Sequence, residues 1–237
     1  YKNPKNTIMH HPDTNYRHLF ANGLSVPWPA GKAVCVERNY SDHIVELNND
    51  VPDEPILFIK PTTAMVSFSG FIKLTRRFGI HHYETEMTLL IGKKLQCCNE
   101  KEARDAIAGV GVGLDLTLRS LQNSLKAKGH PWERAKAFDG SCVLSRFVIL
   151  DNTLDLQNIK LCLWRNDELV QNTNTGQMLF PVLTLLCDIS RTFTLMPGDI
   201  VMTGTPRGVG ELLAGDKLKA ELDSLITEET IVINDDE

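Results

Sequence analysis

The sequence predicts an α+β fold that is rich in β-strand and has only a few short helices. Short apolar runs bounded by Gly, Pro or Asn recur along the chain and outnumber the segments with helical periodicity. The strand-like and helix-like segments do not alternate regularly, which disfavours a doubly wound parallel sheet. The length of 237 residues suits one large domain that buries its own core.

The predicted strands are short apolar runs, and one of them has an unusual composition. The stretch 109–116 alternates glycine with apolar residues, which favours a strand against which another backbone packs closely. Asn166-Asp167 lies between two further runs and predicts the turn of a hairpin. The predicted strands are 33–36, 56–59, 83–91, 109–116, 161–164, 168–171 and 200–203.

Short helices are predicted between these strands. Ser41 is a residue type that caps helix N-termini, and Asp42 follows it in the first turn. An amphipathic stretch ends before Gly129, which is typical of the residue that follows a helix. The predicted helices start at Ser41 and extend over 100–107, 117–128 and 180–193.

Composition excludes several classes of function. The formal net charge of −5, with scattered Lys and Arg, provides no basic surface for nucleic acid or for a membrane. The longest apolar stretch, 178–187, contains Pro181 and is shorter than the ~20 residues of a membrane-spanning helix. The six cysteines lack C-x-x-C spacing, which favours reduced thiols. We therefore expect a cytoplasmic protein that binds neither nucleic acid nor membrane.

Residues 1–30 are predicted to form an irregular N-terminal arm that precedes a domain over residues 31–237. The arm is polar, contains four prolines and has no sustained periodicity. His10, His11 and His18 lie in it, but histidines in a polar segment are more often solvated than bound to a metal. We therefore predict solvated side chains rather than a metal site.

The stretch His82-Tyr83-Glu84-Thr85-Glu86 carries the strongest chemical signal. Alternate residues of a strand share a face, so the sequence predicts that His82, Glu84 and Glu86 project together. Two neighbouring carboxylates repel each other unless a proton or a cation lies between them. Asp115, a lone acid in the glycine-rich strand, is the best candidate for a third ligand. Oxygen ligands favour Mg²⁺, Mn²⁺ or Ca²⁺ over zinc, whereas the alternative is an exposed edge strand without metal.

Other side chains suggest acid–base chemistry and anion binding. His43 and Glu46 are three residues apart on the predicted helix, and a carboxylate beside an imidazole suits a base that activates water. The alternative is an ordinary surface pair. Lys136 lies in a mildly apolar segment and either binds an anionic substrate or extends to solvent. Arg119 and Gln122 share one helix face and are candidates to donate toward a ligand of the metal.

In their order along the chain, six motifs resemble the fumarylacetoacetate hydrolase family. They resemble most its small single-domain branch of acylpyruvate hydrolases and oxaloacetate decarboxylases or tautomerases. The resemblance extends from about Ala33 to about Gly215. The six matching stretches are 38–43, 55–61, 81–86, 113–119, 131–139 and 197–206.

The resemblance implies a mixed β-roll or sandwich, a catalytic domain over 31–237, a homodimer and bound Mg²⁺ or Mn²⁺. By matching positions it implies that Glu84, Glu86 and Asp115 hold the metal and that His43 and Glu46 activate water. Lys136 matches the catalytic lysine beside the substrate. The remaining matches are pocket positions that bind substrate, namely Arg38, Arg119, Gln122 and Thr205.

Three residues depart from the pattern of this family. Glu37 stands where a glycine or another small residue is usual, and it either crowds the mouth of the pocket or points to solvent. Ser120 replaces a common aspartate, and Gly176 replaces a serine. These departures bear on substrate choice more than on the proposed metal ligands.

The resemblance implies chemistry on small 2-oxo acids through an enolate. A metal that holds the keto oxygen stabilises the negative charge that develops there. We rank C–C bond hydrolysis of acylpyruvates, of the fumarylpyruvate or acetylpyruvate type, first because the His43–Glu46 pair is present. Oxaloacetate decarboxylation or enol–keto tautomerisation is the alternative on the same site. A protein that binds a 2-oxo acid or a structural cation without catalysis is the alternative of another class.

Overall fold

The computed structural model describes residues 16–47, 49–75, 78–151 and 153–235. Within these ranges strands dominate and the helices are short, as the sequence predicts. The strands are β1 (Ala33–Glu37), β2 (Ile56–Lys60), β3 (Met65–Ser67), β4 (Gly70–Leu74), β5 (His82–Tyr83), β6 (Thr85–Ile91), β7 (Ile107–Asp115), β8 (Cys142–Leu144), β9 (Val148–Ile149), β10 (Lys160–Arg165), β11 (Glu168–Asn174), β12 (Ile200–Met202), β13 (Gly210–Glu211), β14 (Lys217–Leu222) and β15 (Ile226–Asn234). The helices are α1 (Ser41–Glu46), α2 (Glu100–Ala106), α3 (Arg119–Ala127), α4 (Glu133–Lys136) and α5 (Val182–Thr192), and 3₁₀ turns occur at Thr62–Ala64 and Thr175–Gln177.

The larger sheet positions the candidate site. Its order is β2-β1-β12-β6-β7-β8-β3, and β9 pairs with β7 outside this path. The pairs β1–β12 and β3–β8 are parallel, whereas β12–β6, β6–β7 and β7–β8 are antiparallel. The sheet is curled, and this mixed β-rich architecture confirms the predicted fold class.

A second sheet, in the order β11-β10-β14-β15-β4, packs against the first. Its β10–β11 hairpin turns at Asn166 and Asp167, whose φ angles are 52° and 69°, as the predicted turn requires. The main apolar core includes side chains from both sheets, α2 and α5. A second cluster contains Cys35, Cys142 and Met202, and Tyr16, Phe20 and Trp28 pack against it.

The described part of the N-terminal arm is attached to the body of the protein. Residues 16–30 contribute bridges rather than long strands, including Phe20 beside Phe147. His18 is buried and contacts Tyr16 and the Gly198 carbonyl, so the expectation that it is solvated is wrong. This expectation is wrong because neighbouring aromatic residues cover the imidazole. The polarity of the segment does not reveal that packing. His10 and His11 lie outside the described residues.

Most predicted elements are present within a few residues of their expected bounds, and one is wrong. The expected single strand 83–91 is two strands separated by Glu84. β5 pairs with β13, whereas β6 pairs with β12 and β7, so the chain changes sheets at this glutamate. Gly129 has a φ of 63° directly after the C-cap of α3, as expected for a residue that ends a helix.

Candidate metal and substrate site

The three acids predicted as metal ligands converge. Glu84 precedes β6, Glu86 lies within β6, and Asp115 is the last residue of β7. Each offers a ligand atom within 4.8 Å of the others, and all three residues are buried. The Asp115 N–H donates to the Glu84 carbonyl oxygen at 2.8 Å, which fixes the relative position of the two backbones. The alternative of exposed glutamates on an edge strand is therefore wrong.

Glycines in β7 allow the close packing that places Asp115. A Cβ atom at Gly113 would lie 2.7 Å from the Val143 carbonyl oxygen, and one at Gly111 would lie 2.7 Å from Ser145 Oγ. Both distances are shorter than van der Waals contact allows. The glycine alternation in the sequence therefore reflects the close approach of β8 and the turn that follows it.

Two buried lysines contact the Asp115 carboxylate, one at each of its oxygens. Lys136 Nζ donates to Asp115 Oδ2 at 2.7 Å, to Glu84 Oε2 at 2.8 Å and to Thr117 Oγ1 at 2.8 Å. Lys60 Nζ lies 2.7 Å from Asp115 Oδ1 and also donates to the Lys136 carbonyl and to Ser141. Neither Lys60 nor Thr117 is among the residues with a role predicted from the sequence. The signals for Lys60 were its charge at the end of an apolar strand and its place in the matching stretch 55–61.

Arg119, Gln122 and Glu37 form a hydrogen-bonded chain beside the acids. Arg119 Nη2 donates to Glu84 Oε1, and Arg119 Nη1 donates to Gln122 Oε1 at 2.7 Å. Gln122 Nε2 donates to Glu37 Oε1 at 2.8 Å. Glu37 Oε2 lies 3.7 Å from Lys136 Nζ. Glu37 therefore lies in the pocket and does not point to solvent, which was the other alternative. Ser120 is exposed.

These contacts set the charge states of the cluster. Burial alone would raise the pKa of Glu84, but Lys136, Arg119 and His43 outweigh burial and hold that pKa below its ordinary value. Burial likewise would lower the pKa of Lys136, but Asp115, Glu37 and Glu84 raise it above its ordinary value. Glu84 is therefore ionised and Lys136 is protonated at neutral pH.

Glu86 provides the test of whether these residues suit a metal ion. Its Oε2 accepts from the Gly204 N–H at 2.6 Å, and no ion pair joins it to a cationic side chain among the described residues. Burial, together with the nearby Asp115 and Glu84, raises the pKa of Glu86 well above its ordinary value. A divalent cation between three carboxylates would remove this repulsion. The all-oxygen donor set suits Mg²⁺ or Mn²⁺.

The short helix α1 places the predicted dyad beside the cluster. His43 Nδ1 lies 3.1 Å from Glu46 Oε2, and the imidazole is buried. Glu46 Oε1 also accepts from the Gly208 N–H at 2.9 Å, which connects the helix to the loop after β12. His43 also helps to lower the pKa of Glu84.

The remaining two predicted pocket residues make contacts of different kinds. Thr205 is buried, and its Oγ1 accepts from Gln171 Nε2 at 2.9 Å. Arg38 has a φ of 61°, and its Nη1 donates to the Asp50 carbonyl at 3.2 Å rather than to the acid cluster. The substrate-binding roles of both residues stay predictions.

Two residues of the Arg-Asn-Tyr motif also position the site. Asn39 donates to the Thr203 carbonyl at 2.9 Å and accepts from the Phe180 N–H at 2.7 Å, which ties β1 to the end of β12. The Tyr40 hydroxyl is buried without a partner among the described residues, and so is Arg119 Nε. Both are donors near the acids that a ligand can satisfy.

The fumarylacetoacetate (FAA) hydrolase C-terminal model matches residues 32–233. The chain belongs to the fumarylacetoacetate hydrolase family. The resemblance described above is thereby confirmed, and the protein is an enzyme of this family.

Relatives within the family are named for one of the predicted alternatives. Oxaloacetate tautomerase YcgM of Escherichia coli K12 is 45% identical over 209 residues, covering 88% of this chain and 95% of the relative. The bovine mitochondrial oxaloacetate tautomerase FAHD1 is 38% identical over 205 residues, covering 86% of this chain and 93% of the relative. These names favour the oxaloacetate alternative over acylpyruvate hydrolysis, which the sequence analysis ranked first.

A solved structure within the family contains a metal ion. Fumarylpyruvate hydrolase from Pseudomonas aeruginosa, in complex with Mn²⁺ and pyruvate, has a TM-score of 0.87 and 29% identity. The match covers 96% of this chain and 99% of that structure. Within the part of the chain that the structure describes, no helix is long and apolar enough to cross a membrane.

Proposed function

We propose that the protein is a divalent-metal-dependent tautomerase that interconverts the enol and keto forms of oxaloacetate or a closely similar 2-oxo acid. The observation that carries the proposal is the contact of the Lys136 ammonium with two of three converging acids. The names of the relatives support the reaction, and the manganese in the related hydrolase supports the metal.

The chemistry requires a group that stabilises an enolate and groups that move a proton. A divalent ion held by Glu84, Glu86 and Asp115 would supply a Lewis acid for the keto oxygen of a 2-oxo acid. Lys136 provides a fixed positive charge beside the same acids, in a site from which water is largely excluded. His43, buried beside Glu46, is the candidate proton carrier.

The rival class, a protein that only binds a structural cation, is less well supported. It gives no reason for a lysine and an imidazole to approach the metal ligands. Lys136 contacts two of them directly, and His43 helps to lower the pKa of Glu84. A purely structural site would instead surround the cation with neutral and acidic oxygens.

Acylpyruvate hydrolysis is the second candidate. The His43–Glu46 pair favours it because C–C bond hydrolysis needs an activated water, and the fumarylpyruvate hydrolase structure also supports it. Oxaloacetate decarboxylation is a further outcome of the same enolate-stabilising site. These reactions differ in their products and are therefore separable by experiment.

The direct test follows conversion of enol-oxaloacetate to the keto form by loss of the ultraviolet absorbance of the enol. The protein is treated with chelator and then supplied with Mg²⁺ or Mn²⁺. We expect metal-dependent acceleration above the spontaneous rate, with slower release of pyruvate. If tautomerisation is no faster than in buffer while acetylpyruvate is hydrolysed, the second candidate replaces the first.

Assembly as a homodimer, which the family resemblance implies, is also proposed. Size-exclusion chromatography with light scattering measures the mass directly. A mass near twice that of the chain supports the dimer, whereas the mass of one chain contradicts it.

A further inference from the structure

We propose that Lys60 is a positioning residue that holds Asp115 in place when no metal ion is bound and that weakens the binding of that ion. The inference rests on the proposed function only in that the three converging acids bind a divalent cation. It concerns the affinity for this cation and depends neither on the reaction nor on the substrate.

The Lys60 side chain is fully buried beside one of the three acids. Lys60 is the last residue of β2, and its Nζ lies 2.7 Å from Asp115 Oδ1. A buried ammonium group is stable only where a negative charge and hydrogen-bond acceptors replace water. Asp115 supplies that charge, so the two side chains fix each other in place.

The hydrogen bonds of Lys60 go to neutral oxygens and not to Asp115. Its Nζ donates to the Lys136 carbonyl, to the Ser141 carbonyl at 3.1 Å and to Ser141 Oγ at 3.1 Å. An ammonium group has three N–H donors, and these three acceptors use all of them. Asp115 Oδ1 accordingly accepts no hydrogen bond among the described residues. Lys60 therefore places a positive charge beside this oxygen and leaves its lone pairs available to a cation.

The second lysine of the site contacts Asp115 in a different way. Lys136 Nζ donates a hydrogen bond to Asp115 Oδ2 at 2.7 Å and another to Glu84 Oε2 at 2.8 Å. Its backbone carbonyl accepts from Lys60, so one lysine fixes the backbone of the other. Lys60 thus connects the end of β2 to the acid at the end of β7 and to the lysine of α4.

The charge of Lys60 has opposite effects on the metal-free and the metal-bound protein. Without a cation the three acids repel one another, and a positive charge beside Asp115 reduces that repulsion. With a divalent cation bound, the same positive charge repels the cation. Charges several ångströms apart in a largely buried site change an affinity on the order of tenfold or more. Lys60 therefore stabilises the metal-free protein and lowers its affinity for metal.

The test measures Mn²⁺ affinity and thermal stability of the full chain. Lys60→Met removes the charge and keeps an apolar side chain of similar length, whereas Lys60→Gln removes the charge and keeps an amide donor. We expect both variants to bind Mn²⁺ about tenfold more tightly than wild type in calorimetric titration. The melting temperature of the metal-free variants should fall by roughly 5–10 °C, because a buried ion pair has lost one partner. Lower stability is also expected of a merely structural residue, but tighter metal binding is not.

Two control variants separate the charge of Lys60 from its packing. Lys32→Met removes another lysine that forms an ion pair, here with Asp199, and that donates to the Thr194 carbonyl at 2.9 Å. Ser141→Ala removes one acceptor of Lys60 and keeps the Lys60 charge. Both controls should lower the melting temperature, and neither should tighten Mn²⁺ binding.

Unchanged or weaker Mn²⁺ binding in either folded Lys60 variant would overturn the inference, and so would failure of both variants to fold. Tighter binding in a control variant would also overturn it, since the charge of Lys60 would then not be the cause. If wild type binds Mn²⁺ but does not accelerate tautomerisation, the proposed reaction fails while the affinities still test Lys60. If wild type binds no Mn²⁺, the proposed metal site and the inference fail together.

Discussion

Asp115 is the residue on which the two lysines and the candidate metal site all depend. Its oxygens contact Lys60 and Lys136, and a ligand atom of its carboxylate lies within 4.8 Å of those of Glu84 and Glu86. We predict that Asp115→Asn lowers metal-dependent tautomerisation by at least about a hundredfold, because the amide offers no negative charge to a divalent ion. Calorimetric titration with Mn²⁺ and initial-rate measurements check this.

A buried acid that precedes β14 and is not one of the three converging acids provides the control for this substitution. Asp216 accepts from the Asn166 amide at 2.7 Å and from the Leu213 N–H at 2.9 Å, and it is also buried. Asp216→Asn should reduce thermal stability without changing metal affinity. Unchanged Mn²⁺ binding in Asp115→Asn would refute its assignment as a ligand.

His43 separates acylpyruvate hydrolysis from oxaloacetate decarboxylation. Its imidazole lies 3.1 Å from Glu46 in a short helix beside the acids. We predict that His43→Asn lowers acetylpyruvate hydrolysis by about a hundredfold or more, since this reaction needs an attacking water. Oxaloacetate decarboxylation, which needs no such water, should fall much less. Product assays by liquid chromatography measure both, and equal losses would contradict the water-activating role.

At the scale of single residues, the sequence identifies groups whose chemistry is unusual for their surroundings. Glu84, Glu86 and Asp115 were recognisable because acids within apolar strands need a partner. Lys60 was not recognisable in this way, because its approach to Asp115 depends on the curling of the sheet and not on the local sequence pattern. The pocket location of Glu37 likewise depends on α3, which begins 82 residues later at Arg119.

The strand β7 must pack closely against its neighbouring strands if Asp115 is to reach the site. A Cβ at Gly113 would lie 2.7 Å from the Val143 carbonyl oxygen and 2.9 Å from Thr88 Cγ2. We predict that Gly113→Ala destabilises the protein by about 1–3 kcal/mol, because the neighbouring strands must separate. Urea unfolding measures the change, and metal affinity should fall as well.

Gly129 offers a comparison that isolates the backbone effect. Its φ is 63°, and a Cβ there would meet nothing within 4 Å. Gly129→Ala should therefore cost only about 1 kcal/mol, from conformation alone, and should leave metal affinity unchanged. If Gly113→Ala keeps full stability and metal affinity, close strand packing does not position the aspartate.

At the scale of elements, local signals predicted what local physics determines. The hairpin turn, the end of α3 and the glycine-rich strand follow from turn chemistry, capping and packing at those residues. The break at Glu84 does not follow from local signals, because it arises where β5 and β6 pair with different strands. The parallel pairing of β4 with β15 joins segments about 160 residues apart, which no periodicity encodes.

For the molecule as a whole, the curled sheet collects distant segments around one site. The acids come from β6, β7 and the residue before β6, whereas the lysines come from β2 and α4. Only the order of motifs along the chain, and not any single motif, predicted this assembly. The described part of the N-terminal arm then packs on the same body through His18.

His18 makes the stability of this attachment dependent on pH. The Gly198 carbonyl accepts from Nε2 at 3.1 Å, and burial lowers the pKa of the imidazole to about 4. An unfolded chain, with an imidazole pKa of about 6.5, binds the proton more readily, so acid favours unfolding. The contribution of neutral His18 is complete above pH 6.5 and is lost as pH falls toward 4.

We predict that the free energy of unfolding falls by about 2 kcal/mol between pH 7 and pH 5 through this residue alone. Urea unfolding at several pH values measures the slope, and His18→Gln, which cannot titrate, should show a smaller slope by that amount. His130→Gln is the matched control, because His130 is exposed and its removal should leave the slope unchanged. Equal slopes in wild type and His18→Gln would show that His18 does not couple the arm to pH.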